Sequence, residues 1–251
     1  MIVLKSSQEI ELMRQAGRIA GEVLYELSLA VKPGITTARL DNLALRCIRK
    51  NNAEPAFLGY NGFPASICTS INEELVHGIP GLRQLKNGDI VSIDVGVLYK
   101  GYYGDAAATF PVGKVSPLAA QLIEVTRESL NQAVKKAVPG NRLYDISNAV
   151  QSYVEAKGFS VVRNYVGHGI GSNLHEEPQV PNFGPPGKGP LLEEGMVLAI
   201  EPMVNAGTWE VETLDDQWTV VTGDRNLSAH FEHSVAILQD GPEILTSFPG
   251  R

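Results

Sequence analysis

Cysteine is scarce in this chain: Cys47 and Cys68 are the only two, and no CxxC spacing occurs. That leaves no basis for a disulfide framework or a thiolate metal knot, and free thiols point to a reducing, cytoplasmic compartment. Long apolar runs are missing too. Nothing approaches the roughly 18 consecutive apolar residues of a membrane helix, and the start, MIVLKSSQEIELM, lacks the charged-then-apolar layout of a signal peptide. Positive charge is in deficit, with 21 Lys and Arg against 28 Asp and Glu for a net charge of −7. Neither nucleic acid nor an anionic membrane is therefore expected as the main partner, since both need a basic surface. What remains is 251 residues, 43% hydrophobic and 20% charged, enough to bury a sizeable core.

Against that plain background, Gly88 to Asp105 stands out, because it sets two carboxylates in an apolar hairpin. Ile90 to Leu98 reads as a strand, Tyr99-Lys100-Gly101 as a turn, and Tyr102 to Phe110 as the returning strand. Folding about Tyr99-Lys100 pairs residues whose numbers sum to 199 and sets Asp94 opposite Asp105. A turn centred one residue later makes them diagonal neighbours. Either way like charges meet across strands, and that destabilises a sheet unless something offsets it. Two such carboxylates share a proton or share a metal.

The rest of the chain reads twice through one programme. Ser6-Ser7-Gln8-Glu9 fits a capping box ahead of a helix that ends by Pro33-Gly34, and Thr36 or Thr37 caps a second helix. Pro55 to Cys68 reads as loop, and Ile67 to Val76 as a strand and its return. Then Ser116-Pro117 opens a helix that ends at Pro139-Gly140, and another follows to Lys157-Gly158. Adding 106 to Pro33, Gly34, Leu40, Leu43, Ala44, Cys47 and Ile48 lands on Pro139, Gly140, Ile146, Ala149, Val150, Tyr153 and Val154. At an offset of 107, Gly88 to Asp94 maps onto Gly195 to Glu201. The expected architecture is α+β, one domain over residues 1–251 built from duplicated halves of about 1–115 and 116–251. Both halves join one antiparallel sheet with helices on one face, and Asp94 and Glu201 become symmetry mates near a pseudo-twofold axis.

Five groups carry the candidate chemistry: Asp94, Asp105, His168, Glu201 and Glu232. Each lies in an apolar strand or, for His168, in the glycine-rich Tyr165-Val166-Gly167-His168-Gly169-Ile170-Gly171. Burying four carboxylates unpaired costs several kcal/mol each, so a pocket of this kind requires cations, and two divalent ions suffice. Oxygen donors suit manganese, iron(II), cobalt or zinc without separating them. Asp105 and Glu232 are expected as bridges, Asp94 completing one site and His168 with Glu201 the other. Ions about 3.5–4 Å apart generate hydroxide near neutral pH for attack on a carbonyl, which is hydrolase chemistry. His77 and His175, in loops, fit as non-ligands able to donate to an oxyanion or a leaving amide. On a strand His230 shares a face with Glu232 and His233 points away; neither is given a role.

In order along the chain, INEELVHGIP, DVGVLYKGYYGD, VGHGIG, LHEEP, IEPM and the Glu232-His233 segment closely resemble type I methionine aminopeptidase. The likeness spans essentially the whole chain. It implies the pita-bread fold and removal of the initiator methionine from nascent chains when the next residue is small. It matches Asp94, Asp105, His168, Glu201 and Glu232 to metal ligands, His77 and His175 to histidines that contact substrate, and Glu201 also to a proton shuttle. Tyr60, Phe63, Cys68 and Trp218 match positions around the methionine side-chain pocket. Asn61, Leu174 and Phe57 depart from residues some relatives carry there, which bears on pocket shape and second-residue preference. A zinc-binding amino-terminal extension is not expected, and no long insertion separates Glu201 from Glu232, which speaks against a type II enzyme. The implied partners are nascent polypeptide N-termini, with the ribosome a candidate docking partner, and a monomer is expected. The rivals are a proline-specific amino- or dipeptidase on the same scaffold and a non-catalytic binding protein that has lost its ligands.

Overall fold

A computed structural model describes residues 1–247; the last four residues of the expected domain lie outside that range. Helix α1 spans Ser7–Ala30 behind the anticipated capping box, with Ser6 and Glu9 satisfying each other's backbone N–H groups. Helix α2, Thr37–Lys50, takes Thr36 rather than Thr37 as its cap, the hydroxyl accepting from the Arg39 N–H. Helix α3, Pro117–Val134, starts with Ser116 as cap and proline in its first turn. Helix α4, Leu143–Glu155, follows a turn in which the Arg142 N–H donates to the Asp145 carboxylate at 2.7 Å. Among the described residues no helix is long and apolar enough to cross a membrane.

One antiparallel sheet dominates. Its strands run in the order Glu54–Pro55, Ile90–Tyr99, Tyr102–Pro111, Glu232–Leu238, Val197–Ile200, Gly167–Gly169 and Glu176–Val180. Cys68–Ile71 also pairs with Ile90–Tyr99, and Gly241–Ile244 with Glu232–Leu238. Alternation assigns the faces. Ile93, Val95, Val97, Ala106, Ala108, Val235 and Ile237 join residues of all four helices in the main core. Asp94, Asp105, Ala107 and Glu232 occupy the opposite face. Helix α1 comes so close to the hairpin that a Cβ on Gly104 would stand 2.5 Å from the Gly17 nitrogen.

Two expectations need correction. Lys100 and Gly101 both take positive φ, 48° and 85°, so the hairpin closes on a two-residue primed turn at Lys100-Gly101. Pairs then sum to 201: Asp94 faces Ala107, and Asp105 faces Gly96. The two acids are diagonal neighbours, as the turn centred one residue later requires, and not opposite ones. Second, Glu74–Val76 does not return along Cys68–Ile71 as a ladder of its own; it pairs with Val220–Thr222, more than a hundred residues on. The expected loop from Pro55 also contains a single 3₁₀ turn at Tyr60–Gly62.

Candidate metal centre

The registers bring the acids together. Asp94 and Glu232 both pair with Ala107 from opposite sides, so the Tyr102–Pro111 strand lies between theirs and presents only a methyl group between the two side chains at that level. Asp105 lies two residues along the same face. The Tyr102–Pro111 and Glu232–Leu238 strands are tied together there, since the Asp105 N–H donates to Ser234 Oγ at 3.0 Å and the Ser234 hydroxyl donates to the Asp105 carbonyl at 2.8 Å. Glu201 leaves the end of the Val197–Ile200 strand on the same face. His168 enters from a strand flanked by glycines that have no room for side chains: a Cβ at Gly167 would lie 2.3 Å from the Ala199 oxygen, and one at Gly169 2.2 Å from the Glu177 oxygen. All five residues line one cavity of about 270 Å³.

His168 Nδ1 contacts the Gly169 carbonyl at 2.9 Å. A carbonyl only accepts, so Nδ1 carries the proton and the Nε2 lone pair is free. Nε2 faces Glu201 Oε1 at 3.5 Å and Asp105 Oδ2 at 4.0 Å, and burial holds the imidazole neutral, its pKa down at about 4. The carboxyls go the other way. Burial pushes Asp94 up to about 7, and burial followed by mutual repulsion drives Asp105, Glu201 and Glu232 well above the ordinary range. Asp94 Oδ1, Asp105 Oδ1 and Glu232 Oε1 are buried without a hydrogen-bond partner among the described residues. Orphaned, proton-holding acids beside an imidazole with a free lone pair fit a cation site, because a cation reverses each of these penalties. Two triads have ligand spacing, Asp105–His168–Glu232 and Glu201–His230–Glu232. They share Glu232, and Asp94 stands outside both.

The remaining anticipated residues rim the same cavity. His77 sits at φ 61°, a left-handed conformation that is strained for a residue with a side chain, and burial lowers its pKa to about 4. His175 stacks obliquely on His168, ring centres 4.2 Å apart, and its Nδ1 lies 2.8 Å from the Tyr60 hydroxyl. Phe63, Cys68, Leu174 and Phe57 form an apolar cluster joined by Trp218, with Phe63 and Trp218 edge to face at 5.1 Å. Tyr60 is not in that cluster; it is 37% exposed at the mouth and serves His175. Asn61 is exposed on the rim.

Sequence reasoning passed over three features. His230 is buried in the cavity wall with its Nε2 toward Glu201 and Glu232; its parity with Glu232 was the available signal. Tyr165 meets His77 edge to face at 5.7 Å. Lys5 forms a buried ion pair with Glu176, next to His175, at 2.7 Å, which nothing in the sequence around Lys5 announces. His233 does lie on the other face, its Nδ1 2.9 Å from Thr246 Oγ1.

Residues 11–239 match the model of metallopeptidase family M24. A methionine aminopeptidase of Clostridium acetobutylicum is 61% identical over 98% of this chain and 99% of its own. Methionine aminopeptidase 1 of Bacillus subtilis is 58% identical over the same share of this chain and 99% of its own. The crystal structure of a methionine aminopeptidase from Thermotoga maritima superposes with a TM-score of 0.97 at 48% identity, covering 98% of this chain and all of that one. A prolidase from Pyrococcus horikoshii shares the fold alone, with a TM-score of 0.80 at 24% identity over 99% of this chain and 64% of its own. The architecture is thus the pita-bread fold, and the chain belongs to metallopeptidase family M24, among its type I methionine aminopeptidases.

Proposed function

We propose that this enzyme removes the initiator methionine from nascent polypeptides when the second residue is small, with two divalent ions held by Asp94, Asp105, His168, Glu201 and Glu232. The observation that carries the reading is the convergence, beside an apolar pocket, of four acids from both halves of the chain, three of them with orphaned oxygens. The ions supply a water of lowered pKa and Lewis-acid polarisation of the scissile carbonyl. Phe63, Cys68, Trp218 and their neighbours receive the methionine side chain, with Phe57 and Leu174 shaping the pocket and Asn61 its rim. His77 and His175 are neutral at physiological pH, given their lowered pKa values. Each offers an N–H to the oxygen and nitrogen that gain charge as the amide breaks. Glu201, its pKa raised by burial and then by Asp94, carries the proton toward the leaving nitrogen. The duplication of halves 1–115 and 116–251 is part of this proposal, since each half delivers two of the acids. So are a monomeric state and the cytoplasm, where both cysteines stay free and new N-termini emerge.

The test is hydrolysis of Met-Ala-Ser after chelation and stepwise addition of cobalt, manganese, iron(II) and zinc, beside Xaa-Pro peptides. Activity should vanish with chelation, return with metal, and favour Met-Ala-Ser. Turnover of Xaa-Pro peptides alone, or full turnover in chelator, would overturn the reading.

A further inference from the structure

We propose that His230 is a sixth donor of this metal centre, binding through Nε2 the ion held by Glu201 and Glu232. The inference rests on the proposed function above. Three observations bear on it. First, His230 is 1% exposed, and neither ring nitrogen has a hydrogen-bond partner among the described residues. A histidine buried for packing alone would leave two polar atoms unsatisfied, each carrying the desolvation penalty of its burial.

Second, the fold restrains the backbone of His230 and leaves the ring to the cavity. Its N–H and carbonyl both meet the Thr109 hydroxyl at 2.9 Å, and that hydroxyl lies 2.8 Å from Ser92 Oγ. His230 also pairs with Met203 across a short ladder. The imidazole is thus aimed with little freedom.

Third, the spacing suits an ion better than a hydrogen bond. Nε2 stands 3.8 Å from Glu201 Oε2 and 3.9 Å from Glu232 Oε2, too far for either carboxylate to accept from an N–H. Donors about 2.1 Å from one ion in tetrahedral geometry stand about 3.4 Å apart. His168 Nε2, 3.5 Å from the other oxygen of Glu201, completes a centre with two imidazoles. Imidazole favours cobalt, zinc and iron over manganese and magnesium, so His230 narrows the metal preference of the whole enzyme.

The experiment is titration of the metal-depleted protein with Co(II), followed by calorimetry, and proton NMR of the loaded protein in water. Each coordinated imidazole gives a paramagnetically shifted, exchangeable ring N–H. The wild type should show two such signals, and a single one overturns the proposal without any variant. His230→Gln should retain one signal and weaken one of the two Co(II) sites by about tenfold or more, with less than threefold change for Mn(II). His168→Gln is the control for the underlying reading. Should His168→Gln weaken Co(II) binding while His230→Gln leaves both affinities and both signals intact, the sixth donor fails and the metal centre stands. If neither variant changes Co(II) binding, the metal centre itself is wrong.

Discussion

Replacing Asp94 with Asn tests the electrostatics of the site directly, because it removes a charge while keeping the shape. In the metal-depleted protein, burial raises this carboxyl from an ordinary 3.8 to about 7. Between those values the native state holds a proton on Asp94 that the unfolded chain has released, so stability falls as pH rises. The loss is complete above about pH 7. At about 1.4 kcal/mol per tenfold change in proton affinity, the displacement is worth about 4 kcal/mol. Dielectric relaxation around the half-buried acid takes part of that back, leaving about 2–4 kcal/mol. Asn cannot ionise and escapes the penalty. In chelator, then, Asp94→Asn should be more stable than the parent by about 2–4 kcal/mol at pH 8 and equal to it near pH 4. Histidines with lowered pKa, such as His168 and His77, weaken both proteins alike in acid and cancel in the difference. Saturating divalent metal should reverse the order, since an ion at 1,000 times its Kd stabilises the parent by about 4 kcal/mol. Urea unfolding followed by tryptophan fluorescence reads all three conditions. A chelated variant no more stable than the parent at pH 8 would refute the claim that Asp94 is an electrostatic burden without metal.

Tyr60→Phe deletes the hydroxyl 2.8 Å from His175 Nδ1; about 1 kcal/mol of lost orientation should lower kcat about fivefold with metal content unchanged, and unaltered kcat dismisses the contact. His175→Ala should likewise spare both metals, measured by elemental analysis, and lower kcat by about 10²-fold or more; unchanged kinetics removes it from the mechanism. Lys5→Met leaves Glu176 buried and uncompensated at a cost of about 3–5 kcal/mol, and adding Glu176→Gln should return most of it. Equal urea midpoints for parent, single and double variants would show that the pair is idle.

How much of this was legible in the sequence depended on how local each signal was. Ser6 with Glu9, Thr36 and Ser116 announced helix starts because a cap is satisfied within three residues. The acids were legible because a charge in an apolar strand is costly wherever the strand goes. The choice between the two turn centres was not, because Lys100 is a poor cue for a primed turn that ordinarily favours Asn-Gly; its positive φ, with the ammonium 5.1 Å over the Tyr99 ring, emerges only in three dimensions. Nor was the partner of Glu74–Val76, whose ladder depends on Val220–Thr222 folding back against it from more than a hundred residues away. His230 was half visible: parity with Glu232 put it on the right face, but the two strands break at Phe231, whose N–H turns aside to the Pro202 carbonyl.

That break also accounts for the shape of the centre. In a continuous strand, His230 and Glu232 would stand one repeat apart, about 7 Å, with their side chains parallel and unable to meet at one ion. Interrupting the ladder at Phe231 lets His230 pair with Met203 while Glu232 pairs with Ala107, so the two side chains converge to 3.9 Å. The apolar Phe231 is itself buried in the main core, 4% exposed, which fixes the interruption in place. Substituting Phe231 with Ala should therefore loosen metal binding as well as the fold, and the two losses should track each other when Co(II) affinity and unfolding are measured on one sample. A variant that lost several kcal/mol of stability yet bound Co(II) as tightly as the parent would show that the convergence of His230 and Glu232 does not depend on that anchor.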